Sequence, residues 1–494
     1  MSMRRRSWRI LIGCCIAYAA LFLRFYPPLS GIEDEVGFVN QSLVWSRGAM
    51  TSEAAGFAEV ADFGEPNGRP RLMDFVRVGD VHRPSRHPGR SLILLPFVMV
   101  GGVRVGFVSG LLIHWATTLI GAALLARLGR SPLWALLILF HPTLALYSRT
   151  VTADEAAGGF LVLATFFATR PGRGNAVAAG IAVGVAALMR YHAGLALPVI
   201  AASIALDPAR DRRRGDGLAA FVAGGSFGGV IVAYNLLFYG ALLDPVGAQR
   251  GQFGLTFARE NAPFYFVALM SFWPGMLLAP ALDRSVVGGI ARGLSTIYLG
   301  FFTLYYFHDR AGGILETSVV GLRLMQVALP VWIVSYAGAI DDRIVRPLRR
   351  RIGVRAVGIA AACVGLGLLG ATATAFQKHQ AHLSMLKKAH DAIVAEAPGG
   401  SVIVAHGGIH KLFGIPSGGP VYRWRMLEFQ GTPIDRSAEL DRLESPWFLA
   451  VLARGEPLPD SANAMIEAYR MRRIAPTIPS LILYRAEPPR RAIP

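Results

Sequence analysis

The chain has 494 residues, of which 53% are hydrophobic and only 17% charged, with a mean hydropathy of +0.43. Soluble domains carry roughly a quarter charged residues. Here the apolar residues fall into repeated blocks of about 17–25, the length that spans a bilayer, which excludes a soluble enzyme, a coiled coil and a disordered polymer. Fifty Lys and Arg against 32 Asp and Glu give a net charge of +18, but the basic residues bunch in short gaps between apolar blocks, without the basic face and base-edge readers that nucleic acid requires.

Arg4, Arg5, Arg6 and Arg9 precede an apolar run that ends at Phe25. Pro27-Pro28 follows where a signal peptide would carry a small-residue cleavage site, so the run is expected to remain as a first span, 10–26. Short arginine-rich loops mark the cytoplasmic side. With residues 1–9 inside, 27–104 becomes a long outer loop. Its apolar piece 91–102 (SLILLPFVMVGG) is short for a span and is expected to lie in the interface or re-enter.

Further spans are expected at 105–126, 132–148, 155–169, 175–189, 193–206, 217–238, 263–281, 293–307, 321–339 and 355–376, making eleven in all. Outer loops follow at 239–262 and 308–320. Every strongly basic short loop then lands inside, including Arg210 with Arg212–214 and the run from Arg343 to Arg351. The fold class is an α-helical polytopic membrane protein with a cytoplasmic N-terminus, residues 1–376 forming the membrane domain. Residues 377–494 read as a small extracytoplasmic α/β domain. It has a polar helix over 379–397, a turn at Pro398-Gly399-Gly400, and strands at 401–405 (SVIVA) and 480–484 (SLILY). No internal repeat of fixed period is present. Cys14, Cys15 and Cys363 lie inside apolar blocks and give neither a disulfide framework nor a metal spacing.

Ionisable residues at membrane depth or at a span's mouth are functional candidates by default. Four clusters qualify, all on the outer side. Glu33-Asp34-Glu35 follows the first span, and three adjacent carboxylates need a basic partner to stay ionised together. The segment 82–90 holds His82, Arg83, Arg86, His87 and Arg90 in a proline-extended stretch, and arginine forks suit phosphate oxygens. The spacing of His82 and His87 matches no familiar metal-ligand pattern. Asp154-Glu155 heads an apolar block, where an acid also suits a helix N-terminus. Arg190-Tyr191-His192 fills a tight turn between spans, and Arg323 lies two residues into a late one. Carboxylates and arginines gathered at one face suit a lipid-borne phosphate leaving group with a general base beside it.

The order of these motifs resembles the GT-C superfamily of membrane glycosyltransferases, through most of residues 10–340. The pattern is an acid opening the long outer loop (Asp34-Glu35), a His-Pro element before a short apolar helix (His87-Pro88-Gly89), a basic-Leu-Gly turn (Arg127-Leu128-Gly129), a second acid after Ser148-Arg149 (Asp154), a basic-aromatic turn (Arg190-Tyr191) and a late Arg with Leu-Pro (Arg323, Leu329-Pro330). Gly89 departs from it, standing where the superfamily has a second proline. The resemblance implies transfer of a sugar from a polyprenyl-phosphate donor to an envelope glycan, lipid or protein, on the outer face of a bacterial cytoplasmic membrane, with inversion. It implies Asp34 as base, with Glu33 and Glu35 as the other members of the triplet open to that role. Asp154 would position the acceptor, with Glu155 beside it. Arg86, Arg190 and Arg323 would hold the phosphate, with His87, Tyr191 and Arg83 near it. Superfamily members work with a divalent cation, Mg or Mn, or without one, and both options stay open. A transporter or flippase of lipid-linked sugars is the rival reading; it should show paired broken helices in matching halves, and none is visible. The preference for Arg over Lys (only Lys378, Lys387, Lys388 and Lys411 occur) suggests a GC-rich bacterium.

Overall fold

A computed structural model describes residues 2–58, 75–208, 210–242, 253–305, 314–406, 409–415, 419–429, 432–452, 457–478 and 481–487. The expected outer loops at 239–262 and 308–320 lie partly outside these residues. In chain order the main elements are α1 (Ser2–Arg24), α2 (Glu33–Ser46), β1 (Phe75–Val78), β2 (Val81–Pro84), α3 (Pro88–Gly106), α4 (Val108–Arg127), α5 (Asp154–Ala168), α6 (Arg173–Met189), α7 (Ala196–Ala205) and α8 (Arg213–Tyr239). There follow α9 (Leu255–Phe272), α10 (Val286–Thr303), α11 (Leu329–Ile340) and α12 (Arg346–Glu396). The chain then continues through β3 (Val402–His406), β4 (Arg423–Met426), β5 (Glu428–Phe429), β6 (Thr432–Pro433), β7 (Trp447–Leu452), α13 (Asp460–Ala468), β8 (Arg472–Ile478) and β9 (Leu481–Ala486).

The chain is a multi-pass membrane protein. Among the described residues six helical stretches are long and apolar enough to cross a bilayer: Arg5–Arg24, Pro88–Gly106, Val108–Arg127, Arg213–Tyr239, Val286–Thr303 and Gly358–Glu396. That is fewer than the eleven expected spans, for two reasons visible in the sequence. The block 132–148 carries Pro132, His141 and Pro142, and it breaks into three short helices, Pro132–Ala135, Leu136–Leu139 and Pro142–Tyr147. Several other apolar blocks form helices of 10–17 residues that end early at Gly, Pro or Arg. In the other direction, the piece expected to re-enter is part of a 19-residue helix, α3. Pro88 opens it at the first turn, where a missing N–H costs nothing, and it bends at Gly101-Gly102.

The chain divides into two compact units, Met1–Tyr26 with His87–His379, and Pro27–Arg86 with Gln380–Pro494. This differs from the expected boundary at 376/377 with the outer loop counted in the membrane domain. The segment from 27 to 86 shares a core with the C-terminal tail instead.

In the first unit, burial separates inner from outer helices. Eleven residues of α11, from Leu329 to Ala339, are buried, as is the entire first turn of α5. Most of α8 and of the apolar part of α12 is exposed, consistent with faces turned to lipid. Lipid gives no hydrophobic drive for helices to associate, so close packing through small residues must supply it. Helices α6 and α8 meet this way. A Cβ at Gly180 would lie 2.1 Å from the Ala220 carbonyl oxygen, and one at Gly224 would lie 2.8 Å from the Gly180 oxygen. Aromatic packing of Tyr18 and Phe22 with Leu111, Phe140 and Phe376 forms another core.

The second unit is built on a five-stranded mixed sheet, in the order β4-β3-β7-β9-β8. β3 runs parallel to β4 and β7, while β9 is antiparallel to β7 and β8. The two expected strands appear as β3 and β9. Alternation along β3 sends Ile403 and Ala405 to one face and Val402 and Val404 to the other. The first face packs against Leu383, Leu386 and Ile393 together with Val44, Phe57 and Phe75 from the outer loop. The second packs against Leu440 and Ala462. The Asn40 amide nitrogen donates to the Gly414 carbonyl at 2.7 Å, a further tie between loop and tail. In the loop, the Glu53 carboxylate receives the His82 N–H at 2.9 Å and meets His82 Nδ1 at 2.7 Å. Partial burial would raise the Glu53 carboxyl, but these backbone and imidazole hydrogen bonds outweigh it and hold the group below its ordinary value.

The α6–α8 contact gives a direct test. Gly180→Ala is expected to destabilise the protein by about 2 kcal/mol, because a carbonyl oxygen of the neighbouring backbone cannot rotate away as a side chain can. Gly228→Ala, which has open space around it, is expected to stay within about 0.5 kcal/mol of the parent. Melting midpoints of the two purified variants in detergent would show the contrast.

Candidate active site

In the first unit, three chain breaks bring charged side chains together. Asp154 begins α5, where unpaired backbone N–H groups and the helix dipole favour a carboxylate. It is fully buried. Its Oδ2 accepts from Arg190 Nη2 at 2.8 Å and lies 3.6 Å from Arg323 Nε. Arg190 follows the last turn of α6 in an extended conformation (φ −145°, ψ 116°), which turns the chain out of the helix before a short 3-10 turn begins at Tyr191. Arg323 precedes another such turn just ahead of Pro330 and α11.

His87 stands immediately before α3 and stacks on Tyr191, with ring centroids 3.8 Å apart. The Tyr191 hydroxyl donates to Asn235 Oδ1 at 2.9 Å. Gly89 explains how this stacking is reached. A Cβ at that position would lie 2.7–2.9 Å from the backbone of Leu188 and Met189. Only glycine lets the start of α3 approach the end of α6 so closely, and a second proline would collide with the same atoms. The departure from the superfamily pattern is thus a packing requirement of this chain.

Other polar residues near these have different tasks. The guanidinium of Arg90 is buried among carbonyls, with Nε donating to Val151 and Thr152, both at 3.0 Å, and Nη2 donating to Ser109 Oγ at 2.9 Å. It ties α3 to the segment that leads into Asp154. Arg149 is also buried; its Nη1 donates to the Phe376 carbonyl and meets His379 Nδ1, both at 3.0 Å, and its Nη2 donates to the Phe25 carbonyl. Glu155 points into the bundle, its Oε1 2.5 Å from His114 Nδ1, while His114 Nε2 lies 3.0 Å from the Leu139 carbonyl oxygen. His114 and Asn235 escaped the sequence reading. A histidine within an apolar run was a sufficient signal for the first; Asn235 carried none.

In the second unit, helix α2 presents residues 34, 38 and 41 on one face, the i, i+4, i+7 spacing. All three meet Arg86. Asp34 Oδ1 pairs with its Nη2 at 2.9 Å, the guanidinium lies 5.8 Å from the centroid of the Phe38 ring, and Gln41 Nε2 donates to its carbonyl at 3.1 Å. Glu35 is buried and turned back to its own helix start, where Oε2 accepts the Gly31 and Ile32 N–H groups at 2.8 and 3.0 Å. That is a capping role. The side chain of Glu33 lies outside the described residues. Arg83 sits in β2 opposite Val76.

The residues fit a divalent cation poorly. Among the described residues no three His, Cys, Asp or Glu side chains come together as a ligand set. Asp34 and Asp154 are each engaged by guanidinium groups, and Glu155 by an imidazole.

Burial sets the expected cost of neutralising each acid. Asp154→Asn leaves two guanidinium groups facing a neutral amide in a dry site, and a loss of about 3 kcal/mol is expected. Asp34→Asn should cost about 1 kcal/mol or less, since water reaches both partners. Unfolding of the two variants in detergent would separate these values; equal losses would contradict the difference in environment.

No protein-family model and no curated protein matches the chain by sequence. Its fold, however, is matched among solved structures. The chain is similar to ArnT from Cupriavidus metallidurans bound to undecaprenyl phosphate, with a TM-score of 0.61 at 14% identity over 97% of this chain and 98% of that one. Its likeness to the apo state of the same protein has a TM-score of 0.58 at 14% identity, over 96% and 98% of the two chains. The buried Asp154 with its two arginines therefore stands in a membrane protein whose fold is that of ArnT.

Proposed function

We propose that this chain is an integral-membrane glycosyltransferase that moves a sugar from a polyprenyl-phosphate donor to a cell-envelope acceptor on the outer face of a bacterial cytoplasmic membrane. The observation that carries the reading is the Asp154 carboxylate buried between Arg190 and Arg323, in a chain that folds like a protein crystallised with undecaprenyl phosphate. One buried acid held by two guanidiniums lets one arginine turn toward an arriving phosphate while the other stays paired with the acid.

In this reading an acceptor hydroxyl attacks the anomeric carbon in line with the bond to phosphate. The new C–O bond forms as the old one breaks, so the configuration inverts. The resemblance assigns the hydroxyl proton to Asp34 as general base and the acceptor to Asp154. The phosphate leaves with the lipid and gathers negative charge as it does so. The resemblance assigns that charge to Arg86, Arg190 and Arg323; it develops most fully in the transition state, where stabilisation accelerates the reaction. Arg86 has a second task, since it already holds the Asp34 carboxylate at 2.9 Å. His87, stacked on Tyr191, supplies a further donor beside the Arg190 turn. No step needs a metal ion.

The test is a transfer assay on purified full-length protein in lipid, with radiolabelled polyprenyl-phosphate sugars and an extract of envelope acceptors. Wild type is expected to move label into acceptor, and Asp34→Asn is expected to lose at least 100-fold in turnover with its melting midpoint nearly unchanged. Absence of transfer from every donor would overturn the enzyme reading in favour of a lipid-linked sugar transporter. Equal transfer by both proteins would remove Asp34 as the base. A chelator such as EDTA is expected to leave the rate within about twofold, since the acids are bound to guanidinium and imidazole groups; loss of activity restored by Mg or Mn would reverse that conclusion.

A further inference from the structure

An apolar cleft in the first unit is lined by none of the residues discussed above. Helix α7 leads away from the Arg190 turn, and α10 runs alongside it. The two touch where Gly293 meets Val199: a Cβ on Gly293 would lie 2.6 Å from the valine side chain. Beyond that point, toward the end of α7 and the start of α10, they part around a cavity of about 580 Å³. This lies within the range of roughly 300–1,000 Å³ of small-molecule sites.

The cleft has two chemically distinct parts. Its walls are apolar, with Val199 and Leu206 on one side and the bare backbone of Gly289 and Gly293 on the other. Its mouth carries Arg284 and Arg292, both exposed. Arg292 is held in place, Nη1 donating to the Pro280 and Asp283 carbonyls at 2.7 and 3.3 Å. A Cβ on Gly289 would lie 3.7 Å from Nη2 of the same residue, so this guanidinium overhangs the glycine wall. The acid on the rim, Asp207, is 3.4 Å from Arg210 Nε and so is already matched by a cation. The sequence places this end of the helices on the arginine-rich side of the membrane, with Arg212, Arg213 and Arg214 close by in the chain.

We propose that this cleft binds one anionic phospholipid, its acyl chains along the glycine and valine walls and its phosphodiester between Arg284 and Arg292. Charge complementarity selects the occupant. A zwitterionic lipid would bring a cationic headgroup to two guanidiniums, whereas a headgroup of net negative charge meets them without a competing cation. The apolar depth selects a lipid over a free anion. This inference is independent of the glycosyltransferase reading, because it uses none of the same residues.

The experiment titrates purified full-length protein in neutral detergent with phosphatidylglycerol, phosphatidylcholine or inorganic phosphate and follows the melting midpoint. A saturable rise with phosphatidylglycerol alone is expected. Arg284→Gln with Arg292→Gln should raise the half-saturating lipid concentration about 30-fold, from roughly 1 kcal/mol per arginine. Gly289→Leu keeps both arginines and fills the cleft, in a place where a Cβ meets nothing closer than the flexible end of Arg292; it should abolish the saturable response. An equal rise with phosphatidylcholine or with inorganic phosphate would overturn the proposal, as would unchanged titrations in both variants. If the double arginine variant fails to fold, the lipid preference of the wild type and the response of Gly289→Leu still decide the matter.

Discussion

The first unit is organised around a carboxylate that cannot be left alone. Asp154 is fully buried in an apolar bundle, and an uncompensated charge there would be neutralised or would unfold the site. Three features compensate its charge: the free N–H groups at the start of α5, Arg190 at 2.8 Å and Arg323 at 3.6 Å. Each arginine lies where a helix ends or pauses. The charge requirement and the broken helices are two sides of one constraint. The same breaks explain why the described residues hold fewer full-length spanning helices than the apolar blocks would allow.

Other arginines in the bundle show how context sets the role of one residue type. Arg90 and Arg149 are as deeply buried as any residue in the protein, yet they donate mainly to carbonyls and fasten helix ends. A guanidinium can satisfy several such acceptors at once because its five N–H groups point in fixed directions. Arg190 and Arg323 reach a carboxylate instead. Two pairs of arginines that look equivalent as letters thus divide into clamps and candidate phosphate ligands. Glycine makes the approach possible: Gly89 brings the His87 end of α3 against the end of α6, and Gly180 brings α6 against α8.

The second unit shows a similar division between two adjacent acids, Asp34 and Glu35. Residues 33–35 look alike in sequence, but consecutive helical positions point about 100° apart. Asp34 therefore lines up with Phe38 and Gln41 around Arg86, while Glu35 folds back on the helix start.

The sequence by itself determined the fold class, because block length and arginine placement follow directly from bilayer thickness and the cost of moving charge across it. It determined that Asp34, Asp154, Arg190 and Arg323 are unusual, because charges at a span's mouth need a reason. It also carried the strands at 401–405 and 480–484, through short apolar runs bounded by turn residues. Only the tertiary structure decided which charges meet. Asp154 and Arg323 are separated by 169 positions, and nothing in local pattern links them. The same holds for the shared core of segment 27–86 and the C-terminal tail, for the clamping roles of Arg90 and Arg149, and for the His114–Glu155 pair. These depend on close approach of distant backbone, which is set by where side chains are absent and where helices break, and neither can be read from composition or period.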